Sequence, residues 1–326
     1  MLRRNKSMVR RCSPQKGFTI IELLTVMSII IILIAILVPS LNRVRLYAKV
    51  VGQHHQFHEI RKGLELYRNE HSDTFPDSDA FDVNSEPYCG AMRLCEAMIG
   101  QDGMGFYPDS KFTADAGFDP LDTTGILRMY PFNLCTKYTA VYTPSQQTNL
   151  RVRRSYIDPE KITAYRIVDV YGAGNIAPFV EDNDHPNAVI SDVFLRPTIV
   201  NTNCGTSGEK VGMPVIYYKA NTSMIDHSTT SVNYPLDNIY KYTDNDSLTE
   251  LGLPWEPPVS RTTLHPLYSG SDVTAGNVRG TTFVRVTTNK KVTATPKSHR
   301  EDSYILMSAG PDGMYGTSDD VFNFTD

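Results

Sequence analysis

The chain is 326 residues long and carries 32 lysines and arginines against 36 aspartates and glutamates, a formal net charge of −4. The length exceeds one small domain, and the charge is uneven: six basic residues precede Phe18 with no acid among them, so the rest of the chain stands at −10. An acidic body of this kind binds polyanions poorly, which excludes nucleic acid as an expected partner and suits cations.

The first predicted element is a leader, residues 1–17, carrying Arg3, Arg4, Lys6, Arg10, Arg11 and Lys16. Met8 offers a second start beside Met1, and the sequence allows either. An apolar run follows from Phe18 to Val38, FTIIELLTVMSIIIILIAILV. At 1.5 Å per residue it is long enough to cross a hydrocarbon core of about 30 Å. It holds one charge, Glu22. A carboxylate at mid-membrane costs on the order of 2.5–3.5 kcal/mol, less near the interface, so it calls for a cationic partner. A secretory signal would have a shorter apolar core and a small-x-small cleavage site, whereas this run ends Ile36, Leu37, Val38, Pro39. An ordinary single-span anchor, with Glu22 lying shallow, accounts for everything but the Gly17-Phe18 junction. Only three basic residues (Arg43, Arg45, Lys49) follow shortly after the span. That asymmetry predicts a cytoplasmic N-terminus and an outward-facing body.

The junction KGFTIIE, Lys16 to Glu22, set between a basic leader and an apolar helix, resembles the class III leader of type IV pilins and type II secretion pseudopilins. The resemblance implies cleavage after Gly17 by a prepilin peptidase and methylation of the new N-terminus at Phe18. It implies that Glu22 pairs with the free amine of a neighbouring subunit during filament assembly. The expected setting is a single-pass protein of the bacterial inner membrane with a periplasmic body, and the expected partners are other pilin or pseudopilin subunits.

Residues 39–72 continue as a helical stem. Val44, Tyr47, Val51, Phe57 or His58, Ile60, Leu64 and Tyr67 recur near the spacing of one helix face, with charged residues around it. Pro39 lies inside this helix and is expected to kink or locally unwind it, because it lacks a backbone donor and crowds the preceding turn. The stem is expected to end near Asn69 to Ser72, ahead of the TFP turn. GLELYRNEHSDTFP, Gly63 to Pro76, is similar to the stem end of the pilin family.

Residues 73–326 are expected to form a β-rich body. GAMRLCEAMIG, Gly90 to Gly100, reads as a short helix, with Cys89 and Cys95 either bridged locally or left as buried thiols. With Cys135 and Cys204 these make four cysteines outside the leader, which allow three complete pairings and show no zinc-ribbon spacing. Strand candidates by β-branched and aromatic content are Ala164 to Gly172, Ala188 to Leu195, Met213 to Lys219, Thr281 to Thr288 and Ser303 to Ser308. His54 and His58 are spaced i, i+4 but lack a third ligand, so they read as solvent or packing residues. Asp182, Asp184 and His185, the pair Asp244 and Asp246, and Asp102 read as polar turns. There is no nucleophile elbow, P-loop or dinucleotide fingerprint, and the chain is expected to be no enzyme.

The C-terminus, SYILMSAGPDGMYGTSDDVFNF, is a strand followed by a Gly-rich acidic loop. Asp312, Asp319 and Asp320 can bring hard oxygen ligands to one point if glycines 310, 313 and 316 let the loop fold back, and Ca2+ suits such a set. It is not an EF-hand, since that register and its closing Glu are absent. The loop resembles the C-terminal calcium loop of major pseudopilins, which adds the carbonyls of Ala309 and Met314 as implied ligands. An Asp-rich loop without metal is the alternative.

Together these readings predict an α+β, pilin-like fold: a long N-terminal transmembrane and stem helix packed on a β-rich globular domain. The expected role is a minor or specialised pseudopilin of a type II secretion-like filament, because the body is longer than that of a major subunit. A type IV pilin for adhesion, motility or DNA uptake is one alternative. A single-span anchored ligand-binding or hydrolytic domain is the other.

Overall fold

The computed structural model describes residues 18–79, 87–100, 105–106, 154–172, 176–179, 187–197, 210–230, 234–256, 263–292 and 295–324. The leader with Gly17, together with Asp102, Cys135, Asp182, Asp184, His185 and Cys204, lies outside these residues. The chain divides between Ala48 and Lys49 into two compact units.

The first unit is the start of helix α1, Ile20–Glu70. Its apolar window is long enough to cross a membrane and none of it is buried. The helix passes through Pro39 without a break, so the local unwinding expected there does not occur. One missing donor can be absorbed by the flanking turns without loss of helical geometry.

In the second unit α1 runs to Glu70, within the expected end, and buries Gln53, Gln56, Phe57, Ile60, Gly63, Leu64 and Tyr67. These recur at three and four residues, which is one helix face. The sequence reading placed Val51 on that face too, but it is half exposed, and His54 and His58 point to solvent. The face packs against α2, Gly90–Ile99, closely enough that a Cβ on Gly63 would lie 2.7 Å from Met98 Sδ and 2.8 Å from Ile157 Cγ1.

The sheet that α2 covers has three antiparallel strands in the order β5-β6-β7. Here β5 is Ile216–Lys219, β6 Tyr304–Ser308 and β7 Val321–Phe322, with Ile216 opposite Met307 and Ser308 opposite Val321. Its side chains alternate between two apolar clusters. Tyr217, Tyr304 and Leu306 face Phe57, Ile60, Leu64 and Met98, while Ile216, Tyr218, Ile305 and Met307 face Met92, Ile167, Tyr171 and Phe283. A period of two with both faces buried is what an apolar run such as YILM, Tyr304 to Met307, requires. Each such large apolar side chain contributes about 1.5–3 kcal/mol on burial. Two further ribbons are antiparallel: β1 (Ala164–Arg166) with β2 (Ala188–Ile190), and β3 (Arg196–Pro197) with β4 (Lys210–Val211). A long apolar N-terminal helix followed by a small antiparallel sheet is an α+β arrangement consistent with a pilin-like fold.

Several predicted strands are corrected. Only Ala164–Arg166 of the first is extended; Ile167–Tyr171 is helix α3, which buries Ile167, Val170 and Tyr171 at helical spacing. Thr281–Thr287 is a helix as well, although β-branched residues disfavour one. Its first turn is capped from a distance by Asp272, which accepts from Thr282 N–H at 3.2 Å and Thr282 Oγ1 at 2.8 Å. Its last hydroxyls bond back to the preceding turn, Thr287 to the Phe283 carbonyl at 2.7 Å. The second and third candidates shrink to Ala188–Ile190 and Ile216–Lys219, joined by a bridge between Ser191 and Pro214. Cys89 and Cys95 are both buried and are not bridged to each other.

Candidate functional site

Two places carry the predicted site residues. The first is the start of α1, where Thr19 and Glu22 form a reciprocal cap. Glu22 Oε2 accepts from Thr19 N–H at 2.9 Å and from Thr19 Oγ1 at 2.7 Å, and Thr19 Oγ1 accepts from Glu22 N–H at 3.3 Å. This is the capping box of a T-x-x-E sequence, and it satisfies two of the backbone donors that a helix start leaves open. The sequence reading gave Glu22 a role toward a neighbour and missed this local one, although the Thr-Ile-Ile-Glu spacing contains it. Phe18 precedes the cap and is exposed.

The second is the loop between β6 and β7. It turns back on itself through Gly310, which takes a left-handed φ of 63° and lies where a Cβ would come within 2.1 Å of the Asp319 carbonyl. That approach puts Asp312 and Asp319 together. Asp319 Oδ2 accepts from Asp312 N–H at 2.9 Å, Asp319 Oδ1 accepts from Thr317 Oγ1 at 2.5 Å, and Asp312 Oδ1 accepts from Met314 N–H at 2.7 Å. Burial pushes the Asp312 carboxyl up, and the Asp319 charge adds to it. Burial also acts on Asp319, but hydrogen bonds from Thr317 and Asp312 outweigh it and hold that carboxyl down. The two carboxyls are thus shifted in opposite directions, as a close acidic pair is.

Asp320 stands apart from that pair. Its Oδ2 accepts from Gly316 N–H at 2.7 Å, while its buried Oδ1 has no hydrogen-bond partner among the described residues. Burial, followed by the charges of Asp312 and Asp319, pushes it up to about 8. Ala309 is fully buried, and the Met314 carbonyl accepts from Thr317 Oγ1 at 3.2 Å. Among the described residues no three His, Cys, Asp or Glu side chains form a metal-holding group. The structure brings two of the three predicted carboxylates together, so a cation here would draw its other oxygens from carbonyls and water. Ca2+ accepts such mixed oxygen sets.

The loop's surroundings were not legible in the sequence. Arg196 feels the charges of Asp312, Asp192 and Asp319, and its guanidinium lies 4.6 Å from the ring centroid of Trp255, the one tryptophan of the chain. Trp255 in turn packs against Gly313. On the other flank, His265 is fully buried, bonds the Gly252 carbonyl at 3.1 Å through Nε2 and accepts from Tyr315 N–H at 3.3 Å through Nδ1. That arrangement fixes a neutral ring, and burial lowers it to about 4. The other acidic pair is structural. Asp244 is buried and accepts from Ser78 Oγ at 2.5 Å, and Asp246 accepts from both Ser269 N–H and Ser269 Oγ.

Against known proteins, residues 12–38 match the family described as the prokaryotic N-terminal methylation motif. That match supports a type IV pilin-like or pseudopilin subunit, points to a structural role, and suggests assembly with other pilin subunits. The motif and the apolar helix are consistent with a single-pass inner-membrane anchor. No curated protein and no solved structure matches the chain.

Proposed function

We propose that the chain is a pseudopilin, a minor or specialised subunit of a type II secretion-like filament, cleaved after Gly17 and methylated at Phe18. The observation that carries the reading is the methylation motif over residues 12–38, continuous with an apolar helix whose first turn holds Glu22. In this reading the N-terminus is cytoplasmic, the chain beyond Pro39 faces outward, and the body over residues 73–326 is periplasmic. Glu22, besides capping its own helix, meets the free amine of a neighbouring subunit. Its filament role is mechanical: apolar helix surface supplies association, and the charge fixes register.

We also infer that the C-terminal loop binds Ca2+ through Asp312 and Asp319, with the Ala309 and Met314 carbonyls completing the set and Asp320 as an outer residue. A divalent ion would let both carboxyls ionise and would lock the fold-back of the loop.

The test of the processing is the N-terminus and intact mass after co-expression with a prepilin peptidase. The expected product begins with methylated Phe18. An intact leader in the presence of active peptidase would overturn the reading in favour of an ordinary anchor.

A further inference from the structure

Five polar side chains lie buried in a line between the stem helix and the acidic loop: Gln53, Gln56, Ser191, Asp192 and Ser308. Each has its partners. Gln53 Nε2 donates to Gln56 Oε1 at 2.8 Å, Gln53 Oε1 accepts from Val193 N–H at 3.0 Å, and Gln56 Nε2 donates to the Ser191 carbonyl at 2.7 Å. One residue further into the body, Asp192 Oδ1 accepts from Phe194 N–H at 3.0 Å and Met213 N–H at 3.1 Å, and its Oδ2 accepts from Ser308 Oγ at 2.7 Å. Ser308 Oγ then accepts from Gly310 N–H at 3.2 Å, and Gly310 is the residue on which the acidic loop folds back against Asp319. At the far end of the same segment Arg196 faces Asp312 and Asp319.

We propose that Ser191–Arg196 is a strut coupling the acidic loop to the stem helix at Gln53 and Gln56, so that an ordered loop tightens the grip on the stem and a disordered loop releases it. Two features make the contact suited to this. Buried polar groups are costly when unpaired, so a network of them shifts as a unit and not bond by bond. The contact is also not backed by continuous packing: a cleft of about 320 Å³ opens beside it, lined in part by Gly52, His55, Gln56, Asp192, Val193 and Leu195. The grip at this end of the stem combines apolar packing of Val50, Phe57, Val193 and Phe194 with two directional hydrogen bonds, which a small displacement of the strut would break.

Hydrogen exchange on the full-length protein in detergent, without added calcium, tests the coupling. Asp319→Ala removes the acceptor of the Asp312 and Thr317 bonds. The expected result is at least tenfold faster exchange at Val193 and across helix residues 53–60, with the bonded amides of Asn221 and Ile239 unchanged. Faster exchange confined to the loop would overturn the proposal. If Asp319→Ala does not fold, Ser308→Ala cuts both bonds at the junction of strut and loop, the one to Asp192 and the one from Gly310 N–H; unchanged exchange at Val193 and residues 53–60 would likewise overturn it. The calcium reading is separated by a second arm, addition of Ca2+ to the wild type with Trp255 fluorescence as the loop reporter. Protection of both loop and stem supports both ideas, and protection of the loop alone sinks the coupling. No response anywhere removes the calcium reading and leaves the strut to be decided by the first arm.

Discussion

The cap that Glu22 forms and the intersubunit pairing proposed for it predict different mutants. As an N-terminal cap its carboxylate needs only an acceptor oxygen for Thr19 N–H and Thr19 Oγ1. Loss of such a cap costs about 0.5–2 kcal/mol and frays one turn of a 51-residue helix. As the partner of a neighbour's amine it needs its charge. Removing one member of a buried ion pair costs about 3–5 kcal/mol, because the other charge is left alone. That is roughly two to four orders of magnitude in an association constant. Glu22→Gln keeps an acceptor and discards the charge, whereas Thr19→Ala breaks the reciprocal cap and keeps the charge. With insertion verified by carbonate-resistant membrane association, filament formation can be read from pelleting or subunit crosslinking. Glu22→Gln and Glu22→Ala should both insert and both fail to assemble, and Thr19→Ala should assemble with a modest loss. Wild-type assembly of Glu22→Gln would refute the charge pairing and leave the cap as the whole role of this residue.

Replacing Asp312 and Asp319 together by Ala should abolish calcium-dependent thermal stabilisation of the detergent-solubilised protein. At a hundred times the dissociation constant the wild type should gain about 2.7 kcal/mol, roughly 5–10 °C in Tm, and an equal gain in the double variant would dismiss the loop as the site. Asp244→Asn should stabilise the protein in a pH-dependent way. Burial pushes Asp244 up to about 7 from its ordinary 3.8, against the pull of the Ser78 bond. The folded state thus keeps a proton that the unfolded chain has released, and stability falls as pH rises from about 4 to about 7. Asn retains the acceptor for Ser78 and cannot titrate. Its advantage in urea unfolding should be absent near pH 4 and grow to at most about 4 kcal/mol by pH 8; a pH-independent difference would contradict the assignment. Gly63→Ala should be destabilising by up to about 2 kcal/mol: overpacking against Met98 and Ile157 costs about 1–3 kcal/mol, and the gain in helix propensity returns about 1. A rise in stability would mean that α1 and α2 separate more easily than their packing implies.

What the sequence disclosed and what it hid divide along a physical line. The span, the stem end and the last strand were legible because each is a one-dimensional property: apolar length, helical period, and an unbroken apolar run bounded by turns. Thr281–Thr287 was misread because its composition favours a strand, and the group that decides otherwise, Asp272, belongs to a different helix. The acidic loop was legible in its glycines and aspartates, but not in Arg196 and Trp255, which reach it from far along the chain. The stem contains the same division within a few residues. Phe57, Ile60, Leu64 and Tyr67 follow the period and announce a buried face, whereas Gln53 and Gln56 lie on that face and look like its solvent-exposed edge. Leucine at position 53 would complete the apolar stripe, yet it would leave Val193 N–H without its acceptor and Gln56 without its donor. An apolar stripe can slide or rotate by small amounts at little cost, while two amides matched to the backbone at Ser191 and Val193 accept one register. The polar end of the face therefore fixes the register of residues 53–67 on the body, and the apolar end supplies most of the energy that holds them there.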